Sequence, residues 1–193
     1  MVAIVKYNAG NIQSVLFALE RIGVEAVWTD DPEVLQGASH VIFPGVGEAS
    51  TAMQYLRERE LDKVIKGLTQ PVLGICLGLQ LFCAHSEEND AECLGIFDNQ
   101  VRLFPAGAQK VPHIGWNGIT HLKSPLFRGV DENAWTYFVH SFYAEPGEWQ
   151  CATCDYIVPF AAALHRDNYY AVQFHPEKSS GTGQQILRNF LTL

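Results

Sequence analysis

The stretch PVLGICLGLQLF, residues 71–82, decides the fold, because an apolar strand-like run ends in Cys76 and a helix-like run begins directly after it. Gly74 stands two residues before the cysteine, and Gly78 stands two residues after it. Small residues at this spacing are typical of a sharp strand-to-helix turn that holds a nucleophile out of the sheet. A free cysteine is also among the residue types most often buried. The stretch alone therefore leaves Cys76 open as a core residue or a nucleophile.

The hydrophobic pattern around this stretch predicts an α/β fold. In the first half, strands and helices alternate, which predicts parallel strands joined by right-handed crossovers. We expect these strands at 2–7, 24–29, 40–45 and 71–76, and these helices at 10–23, 48–68 (in one or two pieces) and 77–86. The second half predicts an antiparallel extension, with strands at 95–104, 135–145, 150–156, 160–166 and 169–176 and a serine-capped helix at 179–193. We therefore expect a doubly wound, mostly parallel, flavodoxin-like sheet in three layers, formed by a single domain of residues 1–193.

Composition excludes several classes of function. The net charge is −8, from 13 Lys and Arg against 21 Asp and Glu, and there is no basic run, which argues against a protein that follows nucleic-acid phosphates. The first residues lack a basic region followed by a long apolar one, and no apolar run reaches about 18 residues, so we expect neither export nor a membrane span. The odd number of scattered cysteines, five, predicts reduced thiols in a cytoplasmic protein.

A base for Cys76 is offered by QFHPEKS, residues 173–179. His175 ends an apolar run and Glu177 follows two residues later, a spacing that places both side chains on one side of an extended chain. Pro176 restricts His175 to an extended conformation. An imidazole that takes the thiol proton, oriented by a carboxylate, is the arrangement that activates a cysteine. Any one histidine of the seven is more often an ordinary structural residue, but the paired positions favour a Cys76–His175–Glu177 triad.

A third element is FPGVGEAS, residues 43–50, which follows another predicted strand. Two glycines bracket Val46, and such a turn is able to aim backbone N–H groups at a carbonyl oxygen. Together with the N–H of Leu77, which follows the nucleophile, it would complete an oxyanion hole. Taken alone, the stretch is more typical of a plain glycine-rich turn between a strand and a helix.

Together, PGVG, GICLGLQ and FHPEKS resemble the class I, triad-type glutamine amidotransferases in order and spacing, over nearly the whole chain. The resemblance implies that Cys76 is the nucleophile, His175 the base and Glu177 its orienting partner. It also implies that no metal or cofactor is needed. The residues it places in the oxyanion hole, by their backbone, are Val46, Gly47 and Leu77. The residues it places around the substrate L-glutamine are Gly47, Gln80, Glu88, Ser141 and Phe142.

Further motifs narrow the resemblance to the glutaminase subunits of imidazole glycerol phosphate synthase. These motifs are YNAGNIQSV near the N-terminus, VPHIGWN at 111–117 and YFVHSFY at 137–143. The resemblance implies a heterodimer with a cyclase subunit built as a (β/α)8 barrel. Ammonia passes through that barrel to form imidazole glycerol phosphate and aminoimidazole carboxamide ribotide in histidine biosynthesis. Matching interface positions are Asn11, Trp116 and Lys178. We also expect the PGVG turn to act as a gate that keeps activity weak until the partner holds its ligand.

Two other functions remain open at this stage. The same triad serves other glutaminases, including the pyridoxal phosphate synthase type, although CLG together with HIGWN argues against that type. The chain is also consistent with a non-catalytic binding subunit of the same fold, although an intact triad argues against it. CATC, residues 151–154, is a single C-x-x-C pair without a second pair, and we interpret it as structural.

Overall fold

A computed structural model describes residues 1–8, 12–107 and 109–193 of the chain. The strands are β1 (Val2–Val5), β2 (Ala26–Thr29), β3 (His40–Gly45), β4 (Val72–Cys76), β5 (His85–Ser86), β6 (Ala91–Glu92), β7 (Gln100–Leu103), β8 (His113–Ile119), β9 (Ala134–His140), β10 (Phe142–Ala144), β11 (Gln150–Asp155), β12 (Pro159–Arg166) and β13 (Tyr169–Val172). The α-helices are α1 (Gln13–Arg21), α2 (Pro32–Gly37), α3 (Ala49–Glu58), α4 (Leu61–Lys66), α5 (Leu77–Phe82) and α6 (Ser180–Phe190). Strands and helices alternate in the first half, and strands dominate the second, as the sequence predicts.

The main sheet has seven strands in the order β11-β12-β13-β4-β3-β1-β2. Five of them, from β13 to β2, pair in parallel. At the other edge, β12 and β11 pair antiparallel. The predicted mostly parallel sheet with an antiparallel extension is therefore confirmed, and β4, which ends at the predicted nucleophile, lies at its centre.

Helices cover both faces of this sheet, because successive residues of each strand point to opposite sides. Along β1, Val2 and Ile4 pack into one hydrophobic cluster and Ala3 and Val5 into another. The first cluster is covered by α1 and α6, and the second by α2, α3, α4 and α5. The result is the three-layer arrangement that the alternating pattern predicts.

Two small sheets extend the second half, and they correct one predicted strand. The run 135–145 is not one strand but two, β9 and β10, which separate at Ser141. β9 pairs with β8 as a two-stranded ribbon, whereas β10 pairs with β7 in a sheet of order β10-β7-β5-β6. The N–H of Phe104 donates to the Ser141 carbonyl at 3.0 Å, so tertiary pairing divides a run that is continuous in its hydrophobic pattern.

Two predicted helices have different bounds. The helix expected at 77–86 ends at Phe82, because Cys83 is extended and the N–H of Ala84 donates to Asn99 at 3.0 Å. The two residues after Ala84 form β5 instead. The helix expected at 48–68 is in two pieces, α3 and α4, separated by Glu60 in a left-handed conformation, with φ of 55°.

The strand expected at 169–176 ends at Val172, so His175 does not lie at a strand end. It precedes a 3-10 turn over Pro176–Lys178. Ser179 does not cap α6 with its side chain either, because its hydroxyl donates to the carbonyl of His175. Within the described parts of the chain, none of the helices has the length and apolar character needed to cross a membrane.

Candidate active site

Cys76 is the last residue of β4, and α5 begins at the next residue. Its backbone adopts φ of 54° and ψ of −106°, a region that residues with a Cβ rarely occupy. Such strain costs about 1–3 kcal/mol and is concentrated at functional sites. The side chain is 6% exposed and reaches a cavity on the surface. The backbone therefore distinguishes Cys76 from a core cysteine such as Cys83, which sits in ordinary extended conformation.

The two glycines beside Cys76 are required by close packing. A Cβ at Gly78 would lie 2.0 Å from the carbonyl oxygen of Phe43, and one at Gly74 would lie 2.8 Å from the ring of Phe82. Both distances are shorter than van der Waals contact allows. The spacing noted in the sequence therefore reflects the tight approach of α5 to strands β3 and β4.

His175 and Glu177 form a buried pair, in which Nδ1 of His175 lies 2.7 Å from Oε1 of Glu177. The 3-10 turn brings the two together, rather than the extended chain that the sequence suggests. Nε2 of His175 is buried without a hydrogen-bond partner among the described residues. Burial lowers the pKa of His175, but the negative charges of the Cys76 thiolate and Glu177 outweigh it and raise the pKa to about 10. The imidazolium form of His175 is therefore the state that its surroundings favour.

Strand β9 holds this histidine in place. The N–H of His175 donates to the carbonyl of Tyr137 at 2.8 Å. The hydroxyl of Ser179 donates to the His175 carbonyl at 2.6 Å and accepts from the Tyr137 N–H at 2.9 Å. These bonds fix the loop after β13 against β9, on the side where Cys76 lies 3.8 Å from the Val139 carbonyl.

The PGVG turn lies next to Cys76 because Gly45, at the end of β3, is the register partner of Cys76 on β4. The Tyr7 hydroxyl donates to the carbonyl of Pro44 at 2.7 Å and fixes the start of the turn. Gly47 has φ of 139°, which a side chain would strain. The N–H of Leu77, the first residue of α5, has no acceptor within the helix. Backbone donors from two elements thus border the same space.

That space is a cavity of about 240 Å³. Every residue that the sequence assigns to the oxyanion hole or the substrate borders it, and their roles stay predictions. Its lining is Val46, Gly47, Cys76, Leu77, Gln80, Glu88, Val139, His140, Ser141 and Phe142.

Two polar side chains in the cavity are held by the backbone. Nε2 of Gln80 donates to the Phe142 carbonyl at 2.9 Å. Oε2 of Glu88 accepts from the N–H of Ala49, the first residue of α3, at 2.8 Å. Burial raises the pKa of Glu88 above its ordinary value. The cavity therefore presents one carboxylate, suited to a cationic group of a small ligand.

The remaining predicted residues lie outside the cavity. Trp116 is on β8 and 46% exposed, and Lys178 is exposed directly after Glu177. Asn11 falls outside the described residues. Cys151 and Cys154 are buried free thiols on β11, and the described residues contain no cluster of three or more potential metal ligands.

Two polar residues that contact Cys76 or line the cavity were not predicted. Gln173 is fully buried and its Nε2 lies 3.6 Å from the Cys76 sulfur. His140 lines the cavity and donates from Nδ1 to the Phe142 carbonyl at 2.7 Å. A signal for Gln173 was present, because it interrupts the apolar run YYAVQF with a polar residue, as Gln80 interrupts LGLQLF.

Comparisons with known proteins show which family this chain resembles along its length. A family model described as "Glutamine amidotransferase class-I" matches residues 4–193. The imidazole glycerol phosphate synthase subunit HisH of Bacteroides fragilis is 58% identical over 194 residues, covering 100% of this chain and 99% of that protein. The protein of the same name from Vibrio cholerae is 44% identical over 199 residues, covering 100% and 98%.

Solved structures bear on the fold alone, because their sequence identity is low. A protein described as a glutamine amidotransferase superposes with a TM-score of 0.76 at 20% identity, covering 100% of this chain and 98% of that one. PurLQS from Thermotoga maritima superposes with a TM-score of 0.75 at 16% identity, covering 99% and 97%. The three-layer sheet described above is thus shared with both.

Proposed function

This chain belongs to the class I glutamine amidotransferase family, and we propose that Cys76, His175 and Glu177 are its catalytic triad. The chain is the glutaminase subunit of an imidazole glycerol phosphate synthase and acts in histidine biosynthesis. One observation carries the assignment of the triad. Cys76 sits in strained backbone and lines a cavity, and its charge acts on the buried His175–Glu177 pair, whose ring Nε2 has no other partner among the described residues.

The proposed reaction follows from these positions. The Cys76 thiolate attacks the side-chain amide carbon of glutamine and forms a C–S bond. Backbone N–H groups of the PGVG turn and of Leu77 stabilise the oxyanion. Imidazolium His175 gives its proton to the nitrogen as the C–N bond breaks, and ammonia leaves. Neutral His175 then takes a proton from water, whose oxygen displaces the sulfur and releases glutamate.

We place the substrate by the reactive and polar groups that line the cavity. The glutamine amide lies at Cys76, between Gly47 and Leu77. The α-ammonium group faces Glu88, whose partly buried carboxylate is otherwise held by a single backbone N–H. Ser141 and Phe142 line the same cavity. A free amino acid is therefore the ligand size and charge pattern that the cavity supports.

The partner surface that we propose is the outer side of the β8–β9 ribbon. We define this ribbon face by the exposed side chains Ile114, Trp116 and Trp135 and the half-buried ring of Tyr137 between them. Ile114 is 60% exposed and Trp135 is 62% exposed, unusual values for large apolar residues. Val139 lies on the same face of β9 and also lines the cavity. The face is therefore continuous with the place where ammonia is released.

We further propose that the partner is a cyclase with a (β/α)8 barrel, in a heterodimer, and that residues 1–193 act as one domain. Curated relatives are named as subunits of a synthase, which implies a partner protein. Asn11, Trp116 and Lys178 are the proposed interface residues. The PGVG turn is the proposed gate, and a cavity of about 50 Å³ behind it, bordered by Tyr7 and Leu77, leaves space for a peptide to reorient.

The test mixes the purified chain with the cyclase and the substrate of the cyclase, and measures glutamate release. Wild type is expected to release glutamate faster when the loaded partner is present. Cys76→Ala is expected to lose release entirely. Cys83→Ala is the matched control, since Cys83 is a buried thiol outside the cavity, and it is expected to retain activity. Equal release by Cys76→Ala and wild type would refute the triad, and release independent of the partner would refute the gate.

A further inference from the structure

Gln173 places a polar side-chain amide in the interior of the protein. It lies one residue beyond β13, and its side chain is fully buried. Its N–H donates to the carbonyl of Ala162 at 2.8 Å, which fixes the backbone. Its side-chain amide contacts two groups of the site, the sulfur of Cys76 at 3.6 Å and the amide of Gln80 at 3.1 Å. An apolar residue of similar size would fill the same space without the cost of burying an amide.

The orientation of this amide follows from its neighbours. A carbonyl oxygen only accepts hydrogen bonds, so Gln80 presents its nitrogen, not its oxygen, to Phe142. The second N–H of Gln80 then donates to Oε1 of Gln173. With its oxygen occupied by Gln80, Gln173 presents its own nitrogen to the sulfur of Cys76. The reverse orientation would place two donors or two acceptors against each other.

The Phe142 carbonyl is itself fixed from a second side. Burial lowers the pKa of His140 to about 3, so the ring is neutral at pH 7 and carries a single N–H. That N–H is on Nδ1, which donates to Phe142 at 2.7 Å, and Nε2 lies 3.1 Å from Nδ1 of His113. A chain of buried hydrogen bonds therefore runs from His113 to the nucleophile and sets the direction of each amide.

We propose that Gln173 is a further catalytic residue, which donates a hydrogen bond to the thiolate of Cys76 and holds Gln80 in the substrate cavity. A hydrogen bond to the charged form of a group favours that form. Val139 offers the sulfur only a carbonyl acceptor, which favours the thiol. Gln173 supplies the opposing donor, so it shifts the sulfur toward the state that attacks. This inference rests on the proposed role of Cys76 as the nucleophile.

The test measures thiolate formation directly, without relying on turnover. The full-length chain is treated with iodoacetamide across a range of pH, and alkylation of the Cys76 peptide is followed by mass spectrometry. Gln173→Met keeps the length of the side chain but removes the donor, and Gln173→Glu replaces it with an acceptor. Because a hydrogen bond to a charged group contributes about 1.5–3 kcal/mol, we expect the pH midpoint of alkylation to rise by about one to two units.

Control variants separate this effect from a loss of stability. Gln70→Met also removes a partly buried amide, at the opposite end of β4, where Nε2 donates to Leu35 at 2.7 Å. It is expected to lower the melting temperature without moving the midpoint. Should either Gln173 variant fail to fold, Gln80→Met is the alternative. It leaves Gln173 in place but removes the hydrogen bond that orients its amide. We expect it to raise the pH midpoint of alkylation by less than the Gln173 variants do.

The outcomes distinguish this inference from the proposed function. Protection of wild-type Cys76 from iodoacetamide by glutamine supports the function, and a raised midpoint in the variants supports the role of Gln173. Protection of wild type together with unchanged midpoints in the Gln173 variants would overturn the inference and leave the function standing. Absence of glutamine protection in wild type would overturn both.

Discussion

The N–H of His175 donates to the carbonyl of Tyr137 at 2.8 Å, so the proposed catalytic base is attached to the strand that carries the proposed partner surface. Ser179 reinforces this attachment by bonding to both residues. The side chains of β9 thus form part of the ribbon face, and the backbone of β9 bonds to His175 and Ser179. A displacement of β9 on docking would move the base relative to Cys76.

Replacing Ser179 with alanine tests this attachment. The change leaves the His175 carbonyl and the Tyr137 N–H without their buried partner, which costs about 1–3 kcal/mol of unfolding free energy. We expect kcat for glutamate release to fall about tenfold, as for a misplaced general base, with KM little changed. Ser180→Ala, at the exposed neighbour, is the control. Steady-state kinetics and urea unfolding measure both effects, and an unchanged kcat would contradict the role of β9.

The packing of α5 against β3 predicts a contrast between two glycines. Gly78→Ala places a Cβ against the Phe43 carbonyl and is expected to destabilise the chain by about 3 kcal/mol or more. Gly181→Ala, on α6, meets no atom within 4 Å and is expected to stabilise by about 0.5–1 kcal/mol through helix propensity. Urea unfolding of the two variants beside wild type measures the difference. Equal urea midpoints for the two variants would contradict the close packing of Gly78 against Phe43.

The His175–Glu177 pair predicts a dependence of stability on pH. The pKa of His175 is raised from 6.5 to about 10 in the folded chain, so its charged form stabilises the fold. That contribution is complete below pH 6.5 and is lost as the pH rises towards about 10.

Glu177→Gln removes one of the negative charges that raise this pKa. We therefore expect the pKa of His175 to fall, and the free energy of unfolding to decline less steeply between pH 6.5 and 10 than in wild type. Urea unfolding at several pH values and NMR titration of the ring measure both quantities. Glu25→Gln, an exposed change elsewhere, controls for net charge. A slope equal to that of wild type would rule out this electrostatic coupling.

The ribbon face predicts where the partner binds. Trp116→Ala is expected to weaken association with the cyclase by about 30-fold or more, since buried tryptophans at interfaces often contribute about 2 kcal/mol or more. Trp28→Ala is a matched control, because Trp28 on β2 has the same exposure, 46%. It is expected to leave affinity unchanged. Isothermal titration calorimetry measures the affinity of both variants for the cyclase. Equal losses of affinity would show that the partner binds elsewhere.

The mostly parallel main sheet with its antiparallel extension was predictable, because the alternation of strands and helices in the sequence agrees with the topology there. The split of 135–145 into β9 and β10 was not, since its hydrophobic alternation continues across Ser141. Only the pairing of Phe104 with that residue, from a distant segment, breaks the strand. The early end of α5 has the same origin, in a hydrogen bond between Ala84 and Asn99.

At the site, the residues with reactive groups were predictable and their supports were not. Cys76, His175 and Glu177 carry recognisable chemistry in recognisable spacing. A 3-10 turn brings His175 and Glu177 together, where the sequence predicts an extended chain. Pro176 is compatible with both conformations, so the sequence does not distinguish them. Ser179 acts through contacts with distant segments, which sequence patterns do not record. Gln173 shows in the sequence as a polar residue within an apolar run, but its contact with Cys76 does not.

The left-handed backbone of Cys76 has a consequence for engineering. At position 76, stability and activity favour different residues. Glycine would relieve the backbone strain, whereas the proposed reaction needs the thiol of cysteine. A library selected only for thermal tolerance would therefore enrich variants that have discarded the thiol. Engineering this protein for thermostability therefore requires a selection that also measures turnover at every round.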